Sequence, residues 1–260
     1  MDLLLSGRGA VVTGASQGLG AAIAKALAKE GAVVCLIARN ETALRDVAKD
    51  IQDAGGTAHI CPADLADPDE ISRVSSACLS LLPTLDALVN CAGATKRGDF
   101  FELTDQDWAD GYGLKFHATV RLSRALWSGL KASGGSIVNI AGLGGRMPEG
   151  DFTIGGSVNA ALLNFTKALS QVGIRDGVRV NAINPGFIET GRLRRSLEAT
   201  SERDGVTPSD AAAHLLAKLG VGRFGKAEEV AALALFMLSP AASYLNGTAI
   251  ELDGGARRSI

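Results

Sequence analysis

The sequence predicts one α/β domain, a doubly wound parallel sheet of about seven strands with helices on both faces. Three observations carry that prediction. Apolar runs of strand length alternate with longer helical patterns, and strands separated by whole helices pair in parallel. A glycine-rich turn, Thr13-Gly14-Ala15-Ser16-Gln17-Gly18-Leu19-Gly20, joins the first such strand to the first helix. The composition agrees: 260 residues, 47% hydrophobic with 32 glycines, suit a well-packed α/β chain with many tight turns rather than a disordered one.

The elements follow in order. A strand at Gly9–Thr13 leads into a helix over Leu19–Glu30, rich in alanine, leucine and lysine and ended by Gly31. Next come a strand at Val33–Ala38, a helix near Thr42–Ala54 and a strand around Ala58–Cys61. A helix opened by a first-turn proline runs from Pro68 to Leu82 and precedes a strand at Ala87–Asn90. The spacing then predicts one long helix near Asp105–Lys131, a strand at Ser136–Ala141 and a helix near Gly155–Val172. A strand at Arg179–Ile183, a polar helical insertion over Arg192–Leu219, a helix at Ala227–Leu238 and a strand at Ala249–Leu252 complete the pattern. No linker, repeat or low-complexity segment interrupts residues 1–260, so a single domain is expected.

Charge and cysteine usage exclude several functions. A formal net charge of −2 gives no reason to expect nucleic acid or an anionic membrane surface. The first residues have too short an apolar run for a signal peptide, and no stretch approaches a membrane span, so a cytoplasmic protein is expected. Cys35, Cys61, Cys78 and Cys91 are spread without CxxC pairing, several in strand-like runs where a thiol acts as a small core hydrophobe. His59, His117 and His214 are equally dispersed, and no metal site is expected.

The chemistry begins at the glycine-rich turn. A strand before it and a helix after it let backbone N–H groups approach a pyrophosphate at the helix N-terminus. Further along stand Asp64-Leu65, Asn90-Cys91-Ala92-Gly93, Asn184-Pro185-Gly186 with Thr190, and Asp253-Gly254-Gly255. Together these resemble the short-chain dehydrogenase/reductase family over nearly the whole chain. The turn is similar to its TGxxxGxG, Asp64 and Leu65 to its adenine-side acidic pair, and Asn90, Ala92 and Gly93 to its NxAG motif. Pro185, Gly186 and Thr190 resemble the segment that meets the nicotinamide amide. The resemblance implies a Rossmann-like fold, a nicotinamide dinucleotide held by Gly14, Ser16, Gln17, Gly18, Leu19 and Gly20, and a homodimer or homotetramer acting on a small molecule. Cofactor choice is read at the end of the second strand. Leu36-Ile37-Ala38-Arg39-Asn40 holds no acid for a free ribose and offers the Arg39 guanidinium to a 2′-phosphate, which favours NADP over NAD.

The family's proton-transfer residues are where the resemblance breaks. Its tyrosine exchanges the proton, a lysine four residues later lowers the tyrosine pKa and holds the ribose, a serine orients the substrate oxygen, and an asparagine supports a relay water. Each role needs a donor or an ionisable group. Gly113-Leu114-Lys115 stands in the place of Asn-Leu-Lys, and the strand Ser136–Ala141 ends at Gly142 where the serine belongs. Gly155-Gly156-Ser157-Val158-Asn159 occupies the place of YxxxK. The chain has two tyrosines, Tyr112 and Tyr244, so a small slip in alignment does not recover the missing one. The glycines at 111, 113, 155 and 156 are expected to leave a wide pocket lined by backbone amides.

Polar groups on neighbouring loops are the available replacements: Arg146, Glu149, Asp151 and Thr153; Thr95, Lys96 and Arg97; Glu189 and Arg192; and His117, one turn beyond Gly113. Lys115 and Lys167 lie on the two central helices that form the dimer core in the family. The segment over residues 190–220 reads as a mobile lid. Three functions remain open on the sequence: an NADP-linked oxidoreductase with a rearranged mechanism, an enzyme of this fold running hydrolysis, elimination or carbon–carbon cleavage, or a nucleotide-binding protein without catalysis.

Overall fold

A computed structural model describes residues 2–259. Seven strands form one sheet: β1 (Gly9–Thr13), β2 (Val33–Ala38), β3 (Thr57–Pro62), β4 (Ala87–Asn90), β5 (Ser136–Ile140), β6 (Arg179–Pro185) and β7 (Ala249–Leu252). Their order is β3-β2-β1-β4-β5-β6-β7, and every pairing is parallel. Between them run α1 (Gly18–Lys29), α2 (Glu41–Asp53), α3 (Pro68–Leu81), α4 (Asp105–Tyr112), α5 (Ala118–Ala125), α6 (Trp127–Ser133), α7 (Thr153–Asp176), α8 (Gly191–Asp204), α9 (Pro208–Leu219) and α10 (Ala227–Leu238).

Both faces of the sheet are covered, which explains the continuous apolar runs of the central strands. Val11 and Val12 are adjacent in β1 and enter opposite cores, as the two-residue period of a strand requires. One core joins Ile23 and Leu27 of α1 to Leu36, Val138 and Ala234; the other joins Val74 of α3 and Leu122 of α5 to Ile137 and Val180. Arg179 ties β6 to the end of α10 by donating to the carbonyls of Met237, Leu238, Ser239 and Ala242. No described helix is long and apolar enough to cross a membrane.

Three departures from the sequence expectations matter for the site. The long helix expected over Asp105–Lys131 is broken into α4, a π-helical turn at Gly113–His117, α5 and α6. Gly111 has a packing reason in α4: a Cβ there would lie 2.5 Å from Ile154 Cγ2, so its absence lets α4 rest on the start of α7. That helix begins at Thr153 and runs to Asp176, longer at both ends than expected, and closes on Gly177 in the left-handed region at φ 73°. The polar insertion is two helices, α8 and α9, separated by Gly205 and by a capping box between Thr207 and Asp210.

The cysteines correct a further expectation. Cys35 of β2, Cys61 of β3 and Cys78 of α3 are far apart in sequence but bring their Sγ atoms within 4.8 Å of one another in the core. All three are buried, as expected of core thiols, and the group contains no fourth side chain of metal-ligating type.

Candidate active site

The site lies where the sheet order reverses. β1 neighbours both β2 and β4, so the loops leaving β1 and β4 diverge to opposite faces and open a crevice between them. Thr13 fastens this point: its Oγ1 accepts from the N–H groups of Cys91 (2.9 Å) and Ala92 (3.0 Å). Gly14, at φ 65°, lets the two loops touch, because a Cβ there would sit 3.0 Å from the Ala92 backbone. At Gly20 a Cβ would be 2.3 Å from the Gly14 carbonyl oxygen, so only glycine allows α1 to approach the turn this closely. Helix α1 opens with no side-chain cap from Gln17 and no acid in its first turn, leaving N–H groups free for an anion. Ser16 is half-buried in the turn, and Leu19 packs against the core. Across the crevice, Thr190 Cγ2 lies 3.7 Å from the position of a Gly18 Cβ, which brings the turn after β1 next to the segment after β6.

At the outer end, Arg39 and Asp64 are both well exposed and only 3.8 Å apart, beside the buried Leu65. Asn90 faces inward instead: its Nδ2 donates to Asn139 Oδ1 at 2.9 Å and to Ser123 Oγ at 3.3 Å, fastening β4 to β5 and α5. Gly93 lies against the Lys115 side chain, 2.9 Å from its Cδ measured to an ideal Cβ. Gly186, after Pro185, donates its N–H to the Leu252 carbonyl and so joins the ends of β6 and β7.

Gly113, Gly142 and Gly155 differ in what surrounds them. A Cβ on Gly155 would stand 2.0 Å from Phe152 Cζ; the phenyl ring fills the space beside that backbone. A Cβ on Gly142 would meet Asn159 Nδ2 at 2.8 Å, so the end of β5 and the Asn159 amide are in contact. Only Gly113 faces open space, with nothing within 4 Å of a Cβ. The wide pocket expected from the glycines is narrowed in part: Phe152 fills the space beside Gly155 and Ile154 that beside Gly111, while Gly113 stays open. The Gly142 N–H donates to Asn184 Oδ1 at 2.9 Å, and Asn184 Nδ2 donates to Glu251 Oε2 at 2.5 Å.

Lys115 occupies the centre of this arrangement. From the π-helical turn its Nζ donates to the Ala141 carbonyl at 2.7 Å and to Asn159 Oδ1 at 2.6 Å. Burial pushes its ammonium down to about 7; the Arg192 guanidinium acts in the same direction and the Cys91 thiol opposes them. Burial raises the Cys91 thiol to about 12, against the pull of Lys115.

Known proteins bear on this geometry directly. Residues 14–257 match the family model described as enoyl-(acyl carrier protein) reductase. The 3-oxoacyl-[acyl-carrier-protein] reductase FabG of Escherichia coli is 32% identical, over 96% of this chain and 97% of the relative. The crystal structure of L-sorbose reductase from Gluconobacter frateurii, complexed with NADPH and L-sorbose, superimposes with a TM-score of 0.95 at 33% identity, covering 100% of both chains. A short chain dehydrogenase from Burkholderia cenocepacia in complex with NADP gives 0.87 at 31% identity, covering 97% of this chain and 98% of that one. The chain belongs to the short-chain dehydrogenase/reductase family.

A dinucleotide of the kind this family binds fits the residues present. The turn at Gly14–Gly20 and the uncapped start of α1 offer free N–H groups to a pyrophosphate, the exposed Arg39 offers a cation, and Thr190 lies across the crevice from Gly18. The loops above are latched together. Arg97 pairs with Glu149 at 2.8 Å and Asp151 at 2.5 Å, and its guanidinium carbon lies 4.5 Å from the centre of the Phe152 ring. Glu149 also meets Lys218 of α9 at 3.3 Å, Arg192 reaches Thr95 Oγ1 at 3.4 Å, and Lys96 pairs with Asp107 at 2.9 Å. Arg146 pairs with Glu251 at 3.0 Å. Thus the charges on these loops largely engage one another. His117 is exposed, packed with Tyr112 and Phe116 in an aromatic group away from Lys115's partners, and Lys167 is exposed on α7. Sequence spacing points to neither Phe152 nor the inward reach of Lys115. The one signal for Lys115 is its place two residues after a helical glycine.

Proposed function

We propose that this protein is an NADP-linked oxidoreductase of a small carbonyl or carbinol compound, working without the family's asparagine, serine, tyrosine and lysine. In this reading Gly113, Gly142, Gly155 and Asn159 are the equivalents of those four residues. The observation that carries it is the pairing of an uncapped, acid-free α1 N-terminus and glycine-tight crevice with an ionisable amine, Lys115 Nζ, at the end of β5. NADPH, when bound, supplies the hydride. The chain's own residues do the rest: the turn at Gly14–Gly20 receives the diphosphate, Arg39 receives the 2′-phosphate, and Thr190 and the Gly186 segment border the nicotinamide end. Relatives solved with NADPH or NADP support this cofactor choice.

Helices α8 and α9 act as the lid. They bury few side chains, Leu193 in α8 and Ala211 and Leu219 in α9, so opening them costs little. Thr153 Oγ1 is the one buried side-chain polar atom without a partner among the described residues, and a bound ligand would satisfy it. The half-buried aromatic group of Tyr112, Phe116 and Phe165 on the central helices is the surface for a second copy of the chain. Fluorescence titration tests the reading: micromolar affinity for NADPH, tighter than for NADH, is expected, and absence of binding by either nucleotide refutes it. Turnover of a substrate without added nucleotide would favour the non-redox alternative.

A further inference from the structure

We propose that Lys115 is the proton donor and acceptor of this site, delivered by the π-helical turn to the place from which the family's tyrosine and lysine normally work. The inference rests on the oxidoreductase reading and gives it the group it otherwise lacks. Three features of the geometry support it. First, the ammonium has three N–H donors, and the structure engages two, with the Ala141 carbonyl and Asn159 Oδ1. The third is left for a substrate oxygen. Second, both partners mark the missing machinery: Ala141 immediately precedes Gly142, and Asn159 stands in the lysine's own position. Third, both partners are neutral, so no carboxylate holds the proton on the amine. The titratable and charged groups acting on Lys115 are Arg192 at the start of α8 and Cys91 after β4, while the end of β5 and α7 present only the carbonyl and the amide.

The step balances without another side chain. With hydride for the carbonyl carbon supplied by a bound reduced nicotinamide dinucleotide, the Lys115 Nζ–H bond would break and an O–H bond would form on the carbonyl oxygen. The amine is left neutral and recovers its proton from solvent; oxidation of an alcohol runs the same transfer in reverse. A titration near neutrality suits a group that must both give and take a proton at physiological pH. The π turn explains how a residue of the central helix reaches in. An i→i+5 turn inserts one residue and rotates the downstream side chains by about 100° relative to an unbroken α-helix.

The test uses the intact protein, Lys115→Met and Lys115→Arg, with three readouts. In the nucleotide-free protein, NMR of lysine Cε is expected to show one resonance titrating near 7 that is lost in Lys115→Met. A Lys115 that stays charged above pH 9.5 overturns the proposal whether or not a substrate is known. NADPH titration is expected to show Lys115→Met still binding the nucleotide with micromolar affinity, so that lost turnover reads the proton step and not a lost cofactor. Against a panel of ketones and diketones, Lys115→Met should lose about 10²–10⁴-fold in kcat, and Lys115→Arg should not restore it because arginine does not deprotonate. Turnover within tenfold of wild type in Lys115→Met, with NADPH still bound, overturns the role of Lys115 alone. Failure of wild type itself to bind NADPH overturns the oxidoreductase reading and this step with it.

Discussion

Replacing Lys115 by methionine is expected to change the pH dependence of stability in a way that needs no substrate. The folded protein holds the amine at about 7, against an ordinary lysine value of 10.5. Between those values the unfolded chain binds one proton more than the folded one. Stability from this group therefore rises with pH across that window, by about 1.4 kcal/mol per pH unit. Below about 7 both states are charged and the full cost of enclosing the ammonium is present; well above 10.5 both are neutral and the cost has gone. Methionine fills similar volume with no charge, so the difference between variant and wild type isolates the lysine from every other titrating group. The advantage of Lys115→Met should be largest near pH 6–7 and should shrink by roughly 2–3 kcal/mol between pH 7.5 and 9.5. Urea unfolding of both proteins at four or five pH values measures it, with the midpoint and the slope fitted separately. A difference that stays constant within about 0.5 kcal/mol over that interval would refute the reasoning, since it would mean that the ammonium is hydrated in the folded state.

Other contacts of the site have measurable consequences. Gly155→Ala should destabilise by about 1–3 kcal/mol, because the new Cβ would stand 2.0 Å from Phe152 Cζ, and Phe152→Ala in the same chain should recover most of the loss in thermal unfolding. For the same reason, restoring tyrosine at 155 together with Gly142→Ser and Asn159→Lys should yield a folded protein only when Phe152 is also made small. Arg39→Glu should weaken NADPH binding by tenfold or more, about 1.4 kcal/mol or above, while leaving NADH nearly unchanged; an equal loss for both nucleotides would remove Arg39 from the 2′-phosphate. Arg192→Met removes a cation that lowers Lys115, so the Lys115 resonance should titrate above about 7, and a shift downward would contradict the assigned field.

The glycine-rich turn and the loops beside it were legible because their requirements are local. A tight turn, a helix start and a close loop approach each demand glycine at a fixed offset from a strand end, and Gly14 and Gly20 show why nothing larger fits. The central strands β1, β2 and β4 were legible for a related reason, since both faces are buried and the runs are largely apolar. The proposed proton-transfer half rests, in the sequence, on departures from the family's pattern at Gly113, Gly142, Gly155 and Asn159. Sequence spacing located Gly155 but not what fills the space beside it, because Phe152 arrives from a short 3₁₀ turn that no periodicity announces. It also read Asp105–Lys131 as one long helix, with Lys115 on one of the two central helices that form the dimer core in the family. The cysteines show the same limit: three thiols meet in the core because β2, β3 and α3 are neighbours, a fact of topology rather than of spacing. Lys115 is the consequential case. Its identity is plain in the sequence, but it lies within the π-helical turn at Gly113–His117, and its amine donates to the Ala141 carbonyl just after β5. In the proposed reading, where Gly113, Gly142, Gly155 and Asn159 stand in place of the family's four residues, the replacement is therefore sought on the element whose backbone is irregular. A regular helix fixes where its side chains point, whereas a π turn can redirect one of them without any change in residue type.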